Sequence, residues 1–226
     1  MDKKPKVKKI DVKNLVNKDD IPSCMMTYWQ IVAVLENLQN VLERNIPGAV
    51  VELGCNVGTT SIYIRKLLDL YKSDKEYHVY DSWEGLPAMH EKDINNVGRS
   101  FGQGACKTSI EQFKYNMKIR GLKEPTIHSG WFKEIPGEEY PEEICFAFFD
   151  GDFYTSIIDS FDKTYHKVSR GGIILIDDCG WNVLPGCERA CLEFLSDKKE
   201  HLCLEGYPNS EGIYGGKHGG GRVLKF

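Results

Sequence analysis

No run of apolar residues in this sequence approaches the roughly 18 that a membrane-crossing helix needs, and the first twenty residues, MDKKPKVKKIDVKNLVNKDD, contain no apolar signal core. The chain therefore reads as soluble and unsecreted. Neither sign of charge is in excess. The 29 basic and 33 acidic residues leave a net charge of -4, which argues against a nucleic-acid or membrane-surface partner and for a small one. The eight cysteines include no zinc-type CxxC pair, and Cys145, Cys179, Cys191 and Cys203 lie in or beside apolar runs. Reduced thiols in the cytoplasm are expected rather than a disulfide framework. Internal repeats and linker-like segments are absent as well. With 226 residues, 41% of them hydrophobic, the chain can bury one sizeable core. One domain over residues 21–226 is expected, behind a flexible basic arm, residues 1–20, that carries seven lysines.

What is present alternates between two periodicities. Ile31, Val34, Leu35, Leu38 and Leu42 recur at helical spacing, and Pro47-Gly48 punctuates before AVVEL (49–53). Ile64, Leu67, Leu68 and Tyr71 then share a helical face ahead of YHVYD (77–81), which makes one βαβ unit. After an irregular stretch, residues 108–122 place Ile110, Phe113 and Met117 on one helical row and Tyr115 and Ile119 on a neighbouring one, ending at Gly121. PTIHSG, ICFAFFD and GGIILIDD read as further strands, with HLCLE and GRVLKF as a terminal pair. Continuous apolar strands are buried on both faces, so the expected fold class is α/β: a three-layer sandwich around a mostly parallel, Rossmann-like sheet of about seven strands.

Two stretches carry chemistry. VELGCNVGTTS puts Gly54 and Gly58 between a strand and a helix, where a tight turn lets a ligand approach backbone; alone, the motif also fits an empty turn. Glu52 at the strand end would repel a pyrophosphate and welcome an ammonium, and Asp81, closing the next strand, can accept from ribose hydroxyls or cap a turn. An adenosine joined to an amino acid, S-adenosylmethionine, satisfies both acids. The second stretch is FAFFDGDFY. Asp150 ends one strand, and Asp177 and Asp178 end the strand expected beside it, about 4.8 Å away with its carboxyl end at the same edge. Three converging carboxylates repel one another unless a proton or a cation intervenes, and oxygen ligands select a hard ion such as Mg²⁺. Such an ion suits methyl transfer to a hydroxyl, which must be held in line and made more acidic. Asp152, one residue further on, reads as a helix cap.

On these residues the sequence resembles the macrocin O-methyltransferase family of class I S-adenosylmethionine-dependent methyltransferases, Mg²⁺-dependent enzymes that methylate sugar hydroxyls. PGAVVELGCNVGTTS, YDSWEGLP, GWFKEIP, DGDFYTSIIDSFDKTYHKVSRGGIILIDDCGW and GCERACLEF carry the resemblance in order, from about Pro47 to Leu195. It implies cofactor contacts at Glu52, Gly54, Asn56, Thr59, Asp81, Ser82 and Asp150. It places Gly130, Trp131 and Phe132 beside the adenine, although core aromatics are the plain alternative. It makes Asp150, Asp177 and Asp178 the metal ligands and Asp150 the general base.

The expected function is therefore O-methylation of a sugar or glycan hydroxyl, a deoxysugar such as rhamnose included. Its rivals are a metal-dependent methyltransferase of catechols or other phenols, and a cofactor-binding module without turnover. Related catechol-type enzymes place a lysine base three residues after the first metal aspartate; here that residue is Phe153, which excludes a lysine mechanism. His90 and His218 lie in two irregular segments, 88–108 and the C-terminal stretch, that suit substrate lids; each is either an alternative base or an exposed loop histidine. Trp83 and Trp181 either stack on a sugar or pack. A homodimer would use the basic arm or the apolar helix of residues 28–44, whose default is an intramolecular face.

Overall fold

A computed structural model describes residues 10–208 and 214–226, without the side chains of 207, 208 and 214–218. The elements follow in the order α1 (Val12–Leu15), α2 (Tyr28–Glu43), β1 (Ala49–Leu53), α3 (Thr59–Leu70), β2 (Tyr77–Asp81), α4 (Ile110–Lys118) and β3 (Thr126–Ser129). The second half runs β4 (Ile144–Phe149), α5 (Tyr154–Thr164), β5 (Val168–Ile176), α6 (Pro185–Phe194), β6 (Leu202–Pro208) and β7 (Tyr214–Leu224). They build one seven-stranded sheet of order β3-β2-β1-β4-β5-β7-β6, in which β7 runs antiparallel to both β5 and β6 and the other pairings are parallel. This is the expected three-layer, mostly parallel architecture.

Alternation along the strands explains why the apolar runs are unbroken. Val50, Phe146, Phe148, Ile173 and Leu175 face one layer, with α2 and α3. Val51, Leu53, Ala147, Phe149, Ile174 and Ile176 face the other, with α5 and α6. A strand covered on both faces has no solvent side on which a polar residue could alternate. On α2, Ile31, Leu35 and Leu38 are fully buried, each contributing on the order of 1.5–3 kcal/mol, so the apolar face considered for a dimer is used within the chain. On α4 the Phe113–Met117 row is buried, whereas Tyr115 and Ile119 are exposed; one covered row suffices for a helix of nine residues.

The arm also differs from expectation. Residues 1–9 lie outside the described residues, but residues 10–20 do not form a solvated tail. Val12 and Val16 are buried in the core, Tyr63 donates its hydroxyl to the carbonyls of Asn17 and Asp20, and Asp20 pairs with Arg120 and Lys66. Two apolar side chains at i and i+4 anchor a segment that lysine content alone marks as free. The segment after Trp83 is likewise tied down. Leu86 and Gly104–Ala105 exchange backbone hydrogen bonds of 2.8 Å, and the buried Asp93 accepts from the Tyr154 N–H at 2.7 Å and from the His90 N–H at 2.9 Å.

Candidate active site

The parallel strands end in register. Leu53 pairs with Tyr80 on one side and Phe149 on the other, and Phe149 pairs with Ile176. The residues that follow, Gly54, Asp150 and Asp177, continue the ladder through backbone bonds of 2.8 Å from each N–H to the neighbouring strand. Chain order reverses between β1 and β4, and a crevice opens outside the carboxyl ends of strands at such a switch point. A cleft of about 490 Å³ lies there. It is lined by Gly54, Asn56, Asp81, Ser82, Gly130, Trp131, Phe132, Asp150, Asp177 and Asp178, all residues expected at the site.

Gly54 takes φ +93, and a Cβ there would stand 1.9 Å from the Asp150 carbonyl oxygen. The glycine thus lets β1 and β4 close up under the cleft. Of its two sequence readings, Asp81 fulfils that of a turn cap. One carboxylate oxygen accepts from the N–H groups of Cys55 (3.0 Å) and Asn56 (2.8 Å), the other from that of Trp83 (2.8 Å), and the side chain also faces the cleft. Burial raises its carboxyl above the ordinary range while those N–H bonds oppose the rise.

Glu52 and Thr59 do not reach the cleft. Glu52 is buried beneath the turn, accepting from Ser61 Oγ at 2.6 Å and from the Tyr77 hydroxyl, because α3 and β2 offer donors on that side. Thr59 is buried at the first position of α3. The expectation that Glu52 meets a ligand ammonium is therefore replaced by an internal role, that of tying β1, β2 and α3 together. Burial raises the Glu52 carboxyl from 4.5 to about 7. The folded group keeps its proton where the unfolded one releases it, so its stabilising contribution is complete below about pH 4.5 and is lost as pH rises to about 7. The non-titrating Glu52→Gln substitution lacks this loss. In urea denaturation the stability gap between wild type and variant should shift in the variant's favour by about 3 kcal/mol across that window. A gap independent of pH would show that Glu52 ionises normally.

At the other side of the cleft, Asp150, Asp177 and Asp178 each present an oxygen within 4.8 Å of the others. Asp150 and Asp178 are held well above the carboxylate range, first by burial and then by the neighbouring acids. Asp152 departs from its sequence reading as a cap. The residue preceding α5 is Phe153, with no side-chain cap bond, and Asp93 supplies the acceptor instead. Asp152 lines the cleft, hydrogen-bonds Asp178 and is raised to about 6 by burial. Asp152 and Asp178 both take left-handed backbone conformations, φ 61 and φ 54, which cost non-glycine residues on the order of 1–3 kcal/mol and cluster at functional sites. Hard oxygen donors set this close repel one another when ionised, and they fit a divalent ion such as Mg²⁺.

Other residues were not legible in advance. Gln30 of α2 donates to both carboxylate oxygens of Asp177, and Cys24, Met25 and Met26, just before α2, wall the cleft together with Phe101 and Cys106. The Thr27-x-x-Gln30 pair is a readable capping-box pattern, but nothing in it announces Asp177. Trp181 lines the cleft, whereas Trp83 is buried edge-on to Phe113. His90 stacks on Tyr154 and accepts from the Lys92 N–H outside the cleft; the His218 side chain lies outside the described residues. Phe153 is fully buried.

Comparison with known proteins agrees with this geometry. A family model described as macrocin O-methyltransferase (TylF) matches residues 3–205. The 8-demethyl-8-(2,3-dimethoxy-alpha-L-rhamnosyl)-tetracenomycin-C 4'-O-methyltransferase of Streptomyces olivaceus is 31% identical over 156 residues, 64% of this chain and 59% of that protein. The mycinamicin III 3''-O-methyltransferase of Micromonospora griseorubida is 28% identical over 172 residues, 71% of this chain and 66% of that protein. The chain thus spans less than two thirds of the length of these relatives. Among solved structures, the O-methyltransferase NovP superposes with a TM-score of 0.69 at 23% identity, covering 89% of this chain and 81% of that one. The calicheamicin methyltransferase CalS11 gives 0.68 at 16% identity, covering 95% and 91%. Likeness at that identity establishes the class I methyltransferase fold. With the family model matching from residue 3 to residue 205, on a sheet of this topology, the chain belongs to the macrocin O-methyltransferase family.

Proposed function

We propose that the protein methylates a hydroxyl of a sugar or glycan, with S-adenosylmethionine as methyl donor and a divalent ion, Mg²⁺ by its chemistry, at Asp150, Asp177 and Asp178. The observation that carries this reading is the meeting, in one cleft, of the glycine turn with Asp81 and of three carboxylate oxygens within 4.8 Å. The sugar acceptor is suggested by relatives named for methylating glycosylated natural products, one of them rhamnosyl-bearing. Free thiols at all eight cysteines suit a cytoplasmic location.

Gly54 and Asn56 bring backbone to the amino-acid end of the donor, and Asp81 accepts from its ribose. Gly130, Trp131 and Phe132 bound the same cleft where an adenine would lie, a flat apolar group against aromatic side chains. A bound Mg²⁺ would orient the acceptor hydroxyl and lower its pKa. Asp150 takes the hydroxyl proton on a carboxylate oxygen as the new C–O bond forms and the C–S bond breaks. Trp181 and Met26 line the same cleft and would limit water around the reacting groups.

A screen of methyl transfer with S-adenosylmethionine and Mg²⁺ over glycosides, sugar nucleotides and catechols tests the reading. Turnover is expected with a sugar acceptor. Turnover confined to catechols would replace the sugar by a phenol, and cofactor binding without any turnover would favour a binding module.

A further inference from the structure

Gln30 is a buried amide with both ends committed. Its side-chain oxygen accepts from the Thr27 N–H at 2.9 Å, while the Thr27 hydroxyl accepts from the Gln30 N–H at 3.3 Å, a reciprocal cap at the start of α2. Because a backbone N–H can only donate, the Gln30 oxygen must face Thr27, and its NH₂ group must face the sheet. There Nε2 stands 2.9 Å and 3.2 Å from the two oxygens of Asp177. Gln30 is 2% exposed and Asp177 4%, so water competes little for either.

We infer that Gln30 is a positioning residue for the acidic cluster: from the N-terminal cap of α2 it holds the Asp177 carboxylate aimed at the oxygens of Asp150 and Asp178. This rests on the divalent-ion reading above. The cap of a helix has thereby a second use, since the residues that start α2 follow directly on the Cys24–Met26 wall of the cleft. Partners of this kind, which orient a ligating carboxylate without touching the ion, typically change metal affinity about 10–100-fold when removed.

Mn²⁺ affinity, read by electron paramagnetic resonance on the full chain without S-adenosylmethionine, tests the assignment independently of turnover. Gln30→Met keeps volume and removes the amide. Thr27→Ala removes the hydroxyl half of the cap but keeps the N–H that orients Gln30. Gln30→Asn, one methylene too short to reach Asp177, replaces Gln30→Met should that variant not fold. The expected result is Mn²⁺ binding about 10–100-fold weaker in the Gln30 variants and unchanged in Thr27→Ala, although Thr27→Ala lowers thermal stability. Gln30 variants within about twofold of wild type would overturn the inference. So would a Thr27→Ala protein as weakened as Gln30→Met, because helix-end stability would then explain both. Wild type that binds no Mn²⁺ would overturn the metal reading itself, an outcome recognisable before any variant is made.

Discussion

Replacing Asp150 by asparagine is expected to lower kcat for methyl transfer by about 10³-fold or more. Two roles fall together in this one carboxylate. Its position at the end of β4 fixes it beside Asp177, through the 2.8 Å bond from the Asp177 N–H to the Phe149 carbonyl. That position suits both roles proposed for it, ligand of the ion and acceptor of the hydroxyl proton. General-base removal alone is worth about 10²–10⁴-fold. Asparagine fills the same volume and preserves the backbone bond to Leu53, so folding and S-adenosylmethionine binding, followed by calorimetry, should change far less than kcat. A variant that keeps more than about a tenth of wild-type turnover would remove Asp150 from the proton transfer.

Gly54→Ala is expected to destabilise the fold by more than about 4 kcal/mol or to prevent folding, as measured by urea denaturation. Two independent penalties act. The φ of +93 is disfavoured for any residue with a Cβ, and that Cβ would lie 1.9 Å from the Asp150 carbonyl oxygen. Both contacting groups are backbone of adjacent central strands, so relief requires parting β1 from β4 rather than turning a side chain. Any protein that does fold has its Asp150 displaced and should lose turnover in proportion. A Gly54→Ala protein with wild-type stability would mean that the turn has slack, and that Gly54 serves a bound ligand rather than strand packing. Close packing of β1 against β4 is thus a second demand on the glycine, beside the ligand approach expected from the sequence.

The parts of the site legible in the sequence are those that follow from strand direction. Asp150, Asp177 and Asp178 each follow an unbroken apolar run, and parallel neighbours bring such ends to one edge, so their convergence was readable without coordinates. Asp81 was readable for the same reason. What escaped depends on side chains that meet across long sequence separations. Glu52 turns away from the cleft because Ser61 and Tyr77 offer hydroxyls beneath it. Asp152 is free of capping duty because Asp93, in a segment that reads as irregular, provides the acceptor. Gln30 reaches Asp177 across 147 residues. The Thr27-x-x-Gln30 pattern marks a helix start but holds no information about what the Gln30 amide would touch. The lysines of residues 1–20 mask Val12 and Val16, two apolar residues a helical turn apart that decide how the segment docks.

The most direct measurement is methyl transfer to the sugar acceptor that the screen identifies, by enzyme stripped with EDTA and then titrated with Mg²⁺. The proposed metal mechanism predicts that turnover falls to background on stripping and returns as the ion is restored. Undiminished turnover in EDTA would contradict it.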